Sequence, residues 1–194
     1  MDIDSLVKEK NIKQIILALD SSESEIVDKA SEALRTFQKE DWSACEKAVE
    51  EIRKDNTPAG SNALIAFAEM LFELGKHLSF IGGEDDVETR KKEVEAYNRT
   101  LAVNPLHASC LNNKGVTLMQ LKQWREAAVC FERALKADPE FTQAWQNKAV
   151  AHWNGKDFEE AIEAAEEAVK HDSSQQGLLD YMLKNTPYRV VHLR

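Results

Sequence analysis

Glu69, Glu73 and His77 fall at steps of four, the spacing that sets carboxylate and imidazole groups on one helix face, where a metal ion could be held. Phe72 and Leu74 are interleaved with them, so the three read as an ordinary polar stripe. The run GGEDDVE gathers carboxylates without the alternating spacing of a calcium loop, and reads as a solvated loop or a partner contact. Cys45, Cys110 and Cys130 are too few and too scattered for a disulfide framework or a zinc module. They read as buried thiols in a reducing compartment. The chain shows no Gly-rich phosphate loop, no Ser-His-Asp order that spacing can support and no Cys-His pairing. No enzyme, cofactor or metal is expected.

Composition narrows the remaining classes. Hydrophobic residues make up 43% and charged residues 30% of 194, a balance that supports a buried core. Gly and Pro number only 7 and 4 among abundant Ala, Glu, Lys and Leu, which favours helix. The net charge of −9, without a clustered Lys/Arg run, argues against a nucleic-acid partner. No apolar run approaches the roughly 20 residues that span a bilayer, and MDIDSLVKEKNIKQ has no signal-peptide core. A cytoplasmic protein with no membrane partner is the expectation.

The elements that position the polar residues come from self-similarity. Leu111, Gly115, Trp124, Ala127 and Ala134 are followed 34 residues later by Trp145, Ala149, Phe158, Ala161 and Ala168. Within residues 108–141, apolar positions at Leu111, Val116, Leu118, Met119 and Leu121 suit a helix. A second helical pattern follows the KQW turn, at Ala127, Cys130, Phe131, Ala134 and Leu135, and Pro139 stops it. Gly115 and Ala127 remove bulk where two antiparallel helices must approach, and Phe131 can pack against their neighbours.

This pattern, with Leu111, Gly115, Leu118, Ala127, Phe131, Ala134 and Pro139 at its marked positions, resembles the tetratricopeptide repeat. Residues 142–175 fit through Trp145, Ala149, Ala161 and Ala168, with His152, Ala165 and Ser173 departing from the pattern. Residues 61–107 form a longer unit: Leu64, Ala68 and Leu71 mark its first helix and Tyr97, Leu101 and Pro105 its second. An insertion lies near residues 80–92, with a break at Gly82-Gly83. A more degenerate unit covers residues 26–59 through Ala33, Trp42, Cys45, Val49 and Ile52. Residues 1–25 are expected to cap one end as a helix or helix pair, and residues 176–194 the other as a helix and tail. The resemblance implies an all-α, right-handed superhelical array of antiparallel helix pairs, an α-solenoid with helical caps.

In that family first helices line a concave groove. Carried over by position, the groove residues are Asn62, Ile65, Glu69 and Phe72, then Ser109, Asn112, Asn113, Val116, Met119 and Gln120, then Gln143, Gln146, Asn147, Val150, Trp153 and Asn154. Amides can donate to and accept from a peptide backbone, and Phe72, Met119 and Trp153 can hold apolar side chains. The resemblance therefore implies a noncatalytic module that binds a protein or peptide segment, as an adaptor, co-chaperone or assembly factor. One groove variety of the family clamps a chaperone's terminal carboxylate with Lys, Asn and Arg. Here its positions read Ile65, Glu69, Asn113, Gln143 and Asn147, so only the central Asn is kept and that clamp is not expected. The alternatives are a structural, self-associating homo-oligomer whose groove is filled internally or by the tail from Tyr188, or a regulatory module of an enzyme complex.

Overall fold

The structure, a computed structural model, describes residues 1–36, 42–81 and 87–187, with side chains described for all of these but 77–81. The Gly82-Gly83 break and the tail from Tyr188 lie outside the described residues. Among the described residues the regular structure is wholly helical: α1 (Ile3–Lys8), α2 (Ile12–Leu17), α3 (Ser24–Thr36), α4 (Trp42–Asp55), α5 (Pro58–Ile81), α6 (Val87–Val103), α7 (Ala108–Gln120), α8 (Trp124–Ala137), α9 (Thr142–Gly155), α10 (Phe158–His171) and α11 (Gln176–Asn185). No described helix is long and apolar enough to cross a membrane. The chain divides into two compact units, Met1–His77 with Asn98–Pro105, and Leu78–Tyr97 with the residues from Leu106 onward.

In the first unit the short opening helices are held by side-chain caps. Asp2 accepts from the Ser5 N–H at 3.3 Å, and Asn11 from the Gln14 N–H at 3.3 Å, each satisfying a donor that the helix leaves unpaired. Ile12, Ile15 and Ile16 then bury one face with Leu34, Val49, Ile52 and Phe67. Pro58 opens α5, where a missing N–H costs nothing. Gly60 lets α5 approach α4, since a Cβ there would sit 2.9 Å from Cγ2 of Ile52. At the end of α6, Arg53 donates to the carbonyls of Ala102 and Val103 at 2.7 and 2.6 Å, covering acceptors the helix end leaves open.

In the second unit α7 packs on α8, α8 on α9, α9 on α10 and α10 on α11. Leu118, Ala127, Cys130, Phe131 and Ala151 form one core, with Val94, Val116 and Met119 partly buried against it. Ala149, Ala161, Ile162, Ala165, Leu179 and Met182 form another, flanked by Trp145, Trp153 and Leu178. Helix α8 ends at Ala137 because Asp138, ahead of Pro139, is extended. Without a proline, α10 stops in the same way: Asp138 accepts from the Glu140 N–H at 3.1 Å, and Asp172 stands 34 residues on. Asp172 turns extended and accepts from the Ser174 N–H at 2.9 Å, opening a 3-10 turn over Ser173–Gln175. Those bonds from the Ser174 hydroxyl and amide and from Gln175 hold the Asp172 carboxyl below its ordinary value.

The turns inside the helix pairs share one geometry. Lys122 and Lys156, 34 residues apart, both adopt left-handed backbone with φ of 59° and 69°. In each, the turn lysine's N–H and that of the next residue return to carbonyls of the closing helix. Lys122 reaches Met119 and Gln123 reaches Leu118, both at 2.9 Å; Lys156 reaches Trp153 at 3.1 Å and Asp157 reaches His152 at 2.9 Å. Lys10, between α1 and α2, repeats it with φ of 52°.

Candidate functional site

The amides of α7 and α9 meet because the two helices lie side by side. Asn147 Nδ2 on α9 donates to Asn112 Oδ1 on α7 at 2.9 Å. Asn112 Nδ2 in turn donates to Asn113 Oδ1 at 3.4 Å. The Asn113 side chain hydrogen-bonds the phenol of Tyr97 on α6. At the other end Gln143 Nε2 lies 3.5 Å from Asn147 Oδ1 and 3.1 Å from Gln146 Oε1. Five of the expected groove amides therefore form one connected chain that ends on a buried tyrosine.

Tyr97 is 2% exposed. Burial, with the nearby Glu93 and Cys110 adding to it, pushes its phenol up to about 12 against the smaller opposing effect of the Asn113 hydrogen bond. Behind Asn113 the polar seam continues inward. Arg90 Nη1 donates to Glu93 Oε1 at 2.7 Å, and Thr117 Oγ1 lies 3.1 Å from both Glu93 Oε2 and the Asn113 carbonyl, so its single proton serves one of them at a time. Glu93 is fully buried and Arg90 nearly so. Position 97 read as a packing residue at the repeat offset of Phe131, and Arg90 and Glu93 had no reading at all. Their spacing along α6 puts Arg90, Glu93 and Tyr97 on one face, a signal visible in the sequence once that face is known to meet α7.

The other expected site residues have varied surroundings. Ser109, Gln120, Gln143 and Asn154 are exposed, and Asn113, Gln146, Asn147 and Val150 half-buried, whereas Asn112 is 6% exposed and belongs to the interior. Val116 and Met119 show one side to the surface and pack the other against the core around Phe131. Trp153 sits edge-on to Phe158 with ring centroids 5.0 Å apart and tilted against Tyr181 of α11 at 5.9 Å. In the other compact unit, α5 carries Ile65 at 54% exposed, Glu69 exposed and Phe72 buried, with Lys76 Nζ 5.4 Å from the Phe72 ring. Lys76 also pairs with Glu73 at 2.7 Å, so one member of the Glu69/Glu73/His77 stripe is engaged as a surface ion pair. Among the described residues no group of three His, Cys, Asp or Glu side chains is placed to hold a metal.

In the second unit a concavity of about 640 Å³ is walled by Glu132 of α8 and by Glu160, Glu163, Glu166 and Glu167 of α10. Its floor is Trp145, Lys148 and His152 of α9. The Trp145 ring carries Lys148 Nζ 5.3 Å from its centroid and stacks with His171 at 6.4 Å, and its Nε1 donates to the Pro139 carbonyl at 3.0 Å.

Comparison with known proteins agrees with this architecture. The tetratricopeptide repeat family matches residues 112–176. No curated protein matches the chain. Among solved structures, the first tetratricopeptide domain of Spaghetti (RPAP3), solved bound to the HSP90 peptide SRMEEVD, is similar at 16% identity with a TM-score of 0.54, over 60% of this chain and 90% of that one. The Sgt2 tetratricopeptide domain from Aspergillus fumigatus is similar at 20% identity with a TM-score of 0.53, over 60% of this chain and 77% of that one. The Arabidopsis OM64 tetratricopeptide domain is similar at 15% identity with a TM-score of 0.55, over 63% and 98%. The fold is that of a tetratricopeptide α-solenoid, and residues 112–176 carry the sequence pattern of the tetratricopeptide repeat.

Proposed function

We propose that this chain is a noncatalytic protein-interaction module, and that the amide face of α7 and α9 binds an extended, uncharged stretch of a partner protein. The observation that carries this reading is the linked series Asn113, Asn112, Asn147 and Gln143, which crosses from one repeat to the next. Asn113 and Asn147 stand 34 residues apart, at equivalent positions, and each amide has donor and acceptor capacity beyond the bonds already made. A peptide main chain offers the same pair of groups. No residue of the face on α7 and α9 carries a charge, so recognition is not of a terminal carboxylate and depends little on salt. Val116, Met119 and Val150 beside the amides supply apolar surface for alternate side chains. An adaptor, co-chaperone or assembly factor would use such a face.

The test is an array of end-capped peptides probed with the fluorescently labelled full chain. Binding to a subset is expected, lost in Asn113→Ala/Asn147→Ala with the helical circular-dichroism signal intact, and retained at high salt. A double variant that binds the same capped peptides equally well would remove the amide face from consideration.

A further inference from the structure

Asn112 differs from its groove neighbours in burial and in what its amide does. It is 6% exposed, with its Oδ1 accepting from Asn147 at 2.9 Å and its Nδ2 facing Asn113 Oδ1 at 3.4 Å. We infer that Asn112 is a positioning residue that sets the amide orientation of Asn113 and Asn147 and holds these two repeat-equivalent side chains as a matched pair. This deepens the reading of α7 and α9 as a peptide-binding face and rests on it for its purpose.

A side-chain amide is nearly symmetric in shape but not in chemistry, since a half-turn exchanges its acceptor for its donor. An isolated surface Asn can take either orientation, and a ligand then selects one at a cost in affinity. Asn112 removes the choice at both sites. If Asn147 turned over, its carbonyl would face the Asn112 carbonyl, and if Asn113 turned over, two NH2 groups would meet. The far side of Asn113 lies against the buried Tyr97 phenol, where Asn113 lowers the phenol's pKa. Each link therefore donates toward Tyr97, from Asn147 to Asn112 to Asn113, and the orientations are set together.

The bridge is not repeated at the equivalent position of the next repeat. Position 146, equivalent to 112 one repeat later, is a glutamine that accepts from Gln143 on its own helix at 3.1 Å. Gln146 makes the within-helix link where Asn112 makes the helix-to-helix one.

Side-chain amide exchange in the 15N-labelled full chain, followed by NMR without ligand, tests the inference independently of peptide binding. In the wild type, the Asn147 Nδ2 protons should exchange about tenfold more slowly than those of an unstructured asparagine, the factor expected of one protected hydrogen bond. Asn112→Asp keeps the acceptor and loses the donor, so Asn147 should stay protected while the Asn113 signals alone shift. Asn112→Leu should release both. A packing role would not separate Asn113 from Asn147 in this way. Unprotected Asn147 protons in the wild type overturn the inference whether or not either variant folds, as do Asn113 and Asn147 signals that move together in a folded Asn112→Asp. Protection with the expected split, but no bound peptide on the array, would leave the positioning role standing and remove the proposed function instead.

Discussion

The ring of Phe131 occupies the space in which a side chain on Gly115 would begin: a Cβ there would lie 2.6 Å from Cε1 and 2.7 Å from Cζ of that ring. Both residues are buried, and the ring has packed neighbours on its other sides. The next unit meets the same need in reverse, with Ala149 and Ala165 at the equivalent positions, both fully buried. From one unit to the next the first helix gains a methyl and the second gives up the ring.

Gly115→Ala should therefore destabilise the protein by about 1–3 kcal/mol, the usual cost of forcing bulk into a filled core. Phe131→Leu should also destabilise, by leaving a void. The two together should cost less than the sum of the separate changes, because the smaller side chain vacates the space that the new methyl needs. Urea unfolding of the four proteins measures the coupling, and strict additivity would show that the contact is relieved elsewhere.

Arg90 and Glu93 form a buried pair in which neither charge has water to fall back on. Arg90→Met should cost about 3–5 kcal/mol, because it strands the Glu93 carboxylate in the interior. Adding Glu93→Leu should recover most of that loss, because a well-packed apolar pair replaces the ionic one. Thermal unfolding of the single and double variants distinguishes this from a simple packing defect, which the second change would not repair.

Tyr97 makes stability depend on alkaline pH. Its phenol is held up to about 12 in the fold from an ordinary 10.0. The unfolded chain therefore ionises first, and the tyrosine's contribution is fully present below pH 10 and lost as pH rises towards 12. The slope is about 1.4 kcal/mol per pH unit in that window. Unfolding free energies of wild type and Tyr97→Phe, measured from pH 9 to 12, should converge by about 2–3 kcal/mol. A constant difference would mean that Tyr97 titrates normally.

Lys122 and Lys156 hold left-handed backbone that a side chain disfavours. Lys122→Gly and Lys156→Gly should each be neutral or stabilising, by up to about 1 kcal/mol, once glycine's greater freedom in the unfolded chain is set against the strain relieved. Lys156→Val should destabilise the same turn. Thermal midpoints of the three variants decide it, and a clear loss in either glycine variant would show that the lysine side chain contributes.

The repeat, its helix pairs and the stop before Pro139 were legible because each depends on residue size or backbone freedom at a fixed spacing, which a sequence records directly. The amide face was legible only as a set of positions. Asn112 and Asn113 are adjacent and chemically alike, and nothing in the sequence says that one is interior and the other half-exposed. That follows from how α7 is rotated against α6 and α9. Trp153 read as a groove residue, and its contact with Tyr181 of α11, beside Phe158, is not announced by its position in the repeat. The Glu93 to Thr117 link joins residues 24 apart on different helices, and no periodicity announces it. Polar partners across helices are a property of tertiary register, which hydrophobic pattern constrains only loosely.

That last link bears on how a repetitive chain avoids folding one unit out of step. Helices α7 and α9 offer similar apolar faces, so α6 could in principle dock against the wrong one. Position 113 would not expose the mistake, because its equivalent is also asparagine, Asn147. Position 117 would: its equivalent is Ala151, whose methyl has no hydroxyl to offer the Glu93 carboxylate. Docked one unit out of step, the buried acid would lose its threonine partner, so the near-copy 34 residues on would carry a penalty that the correct helix does not.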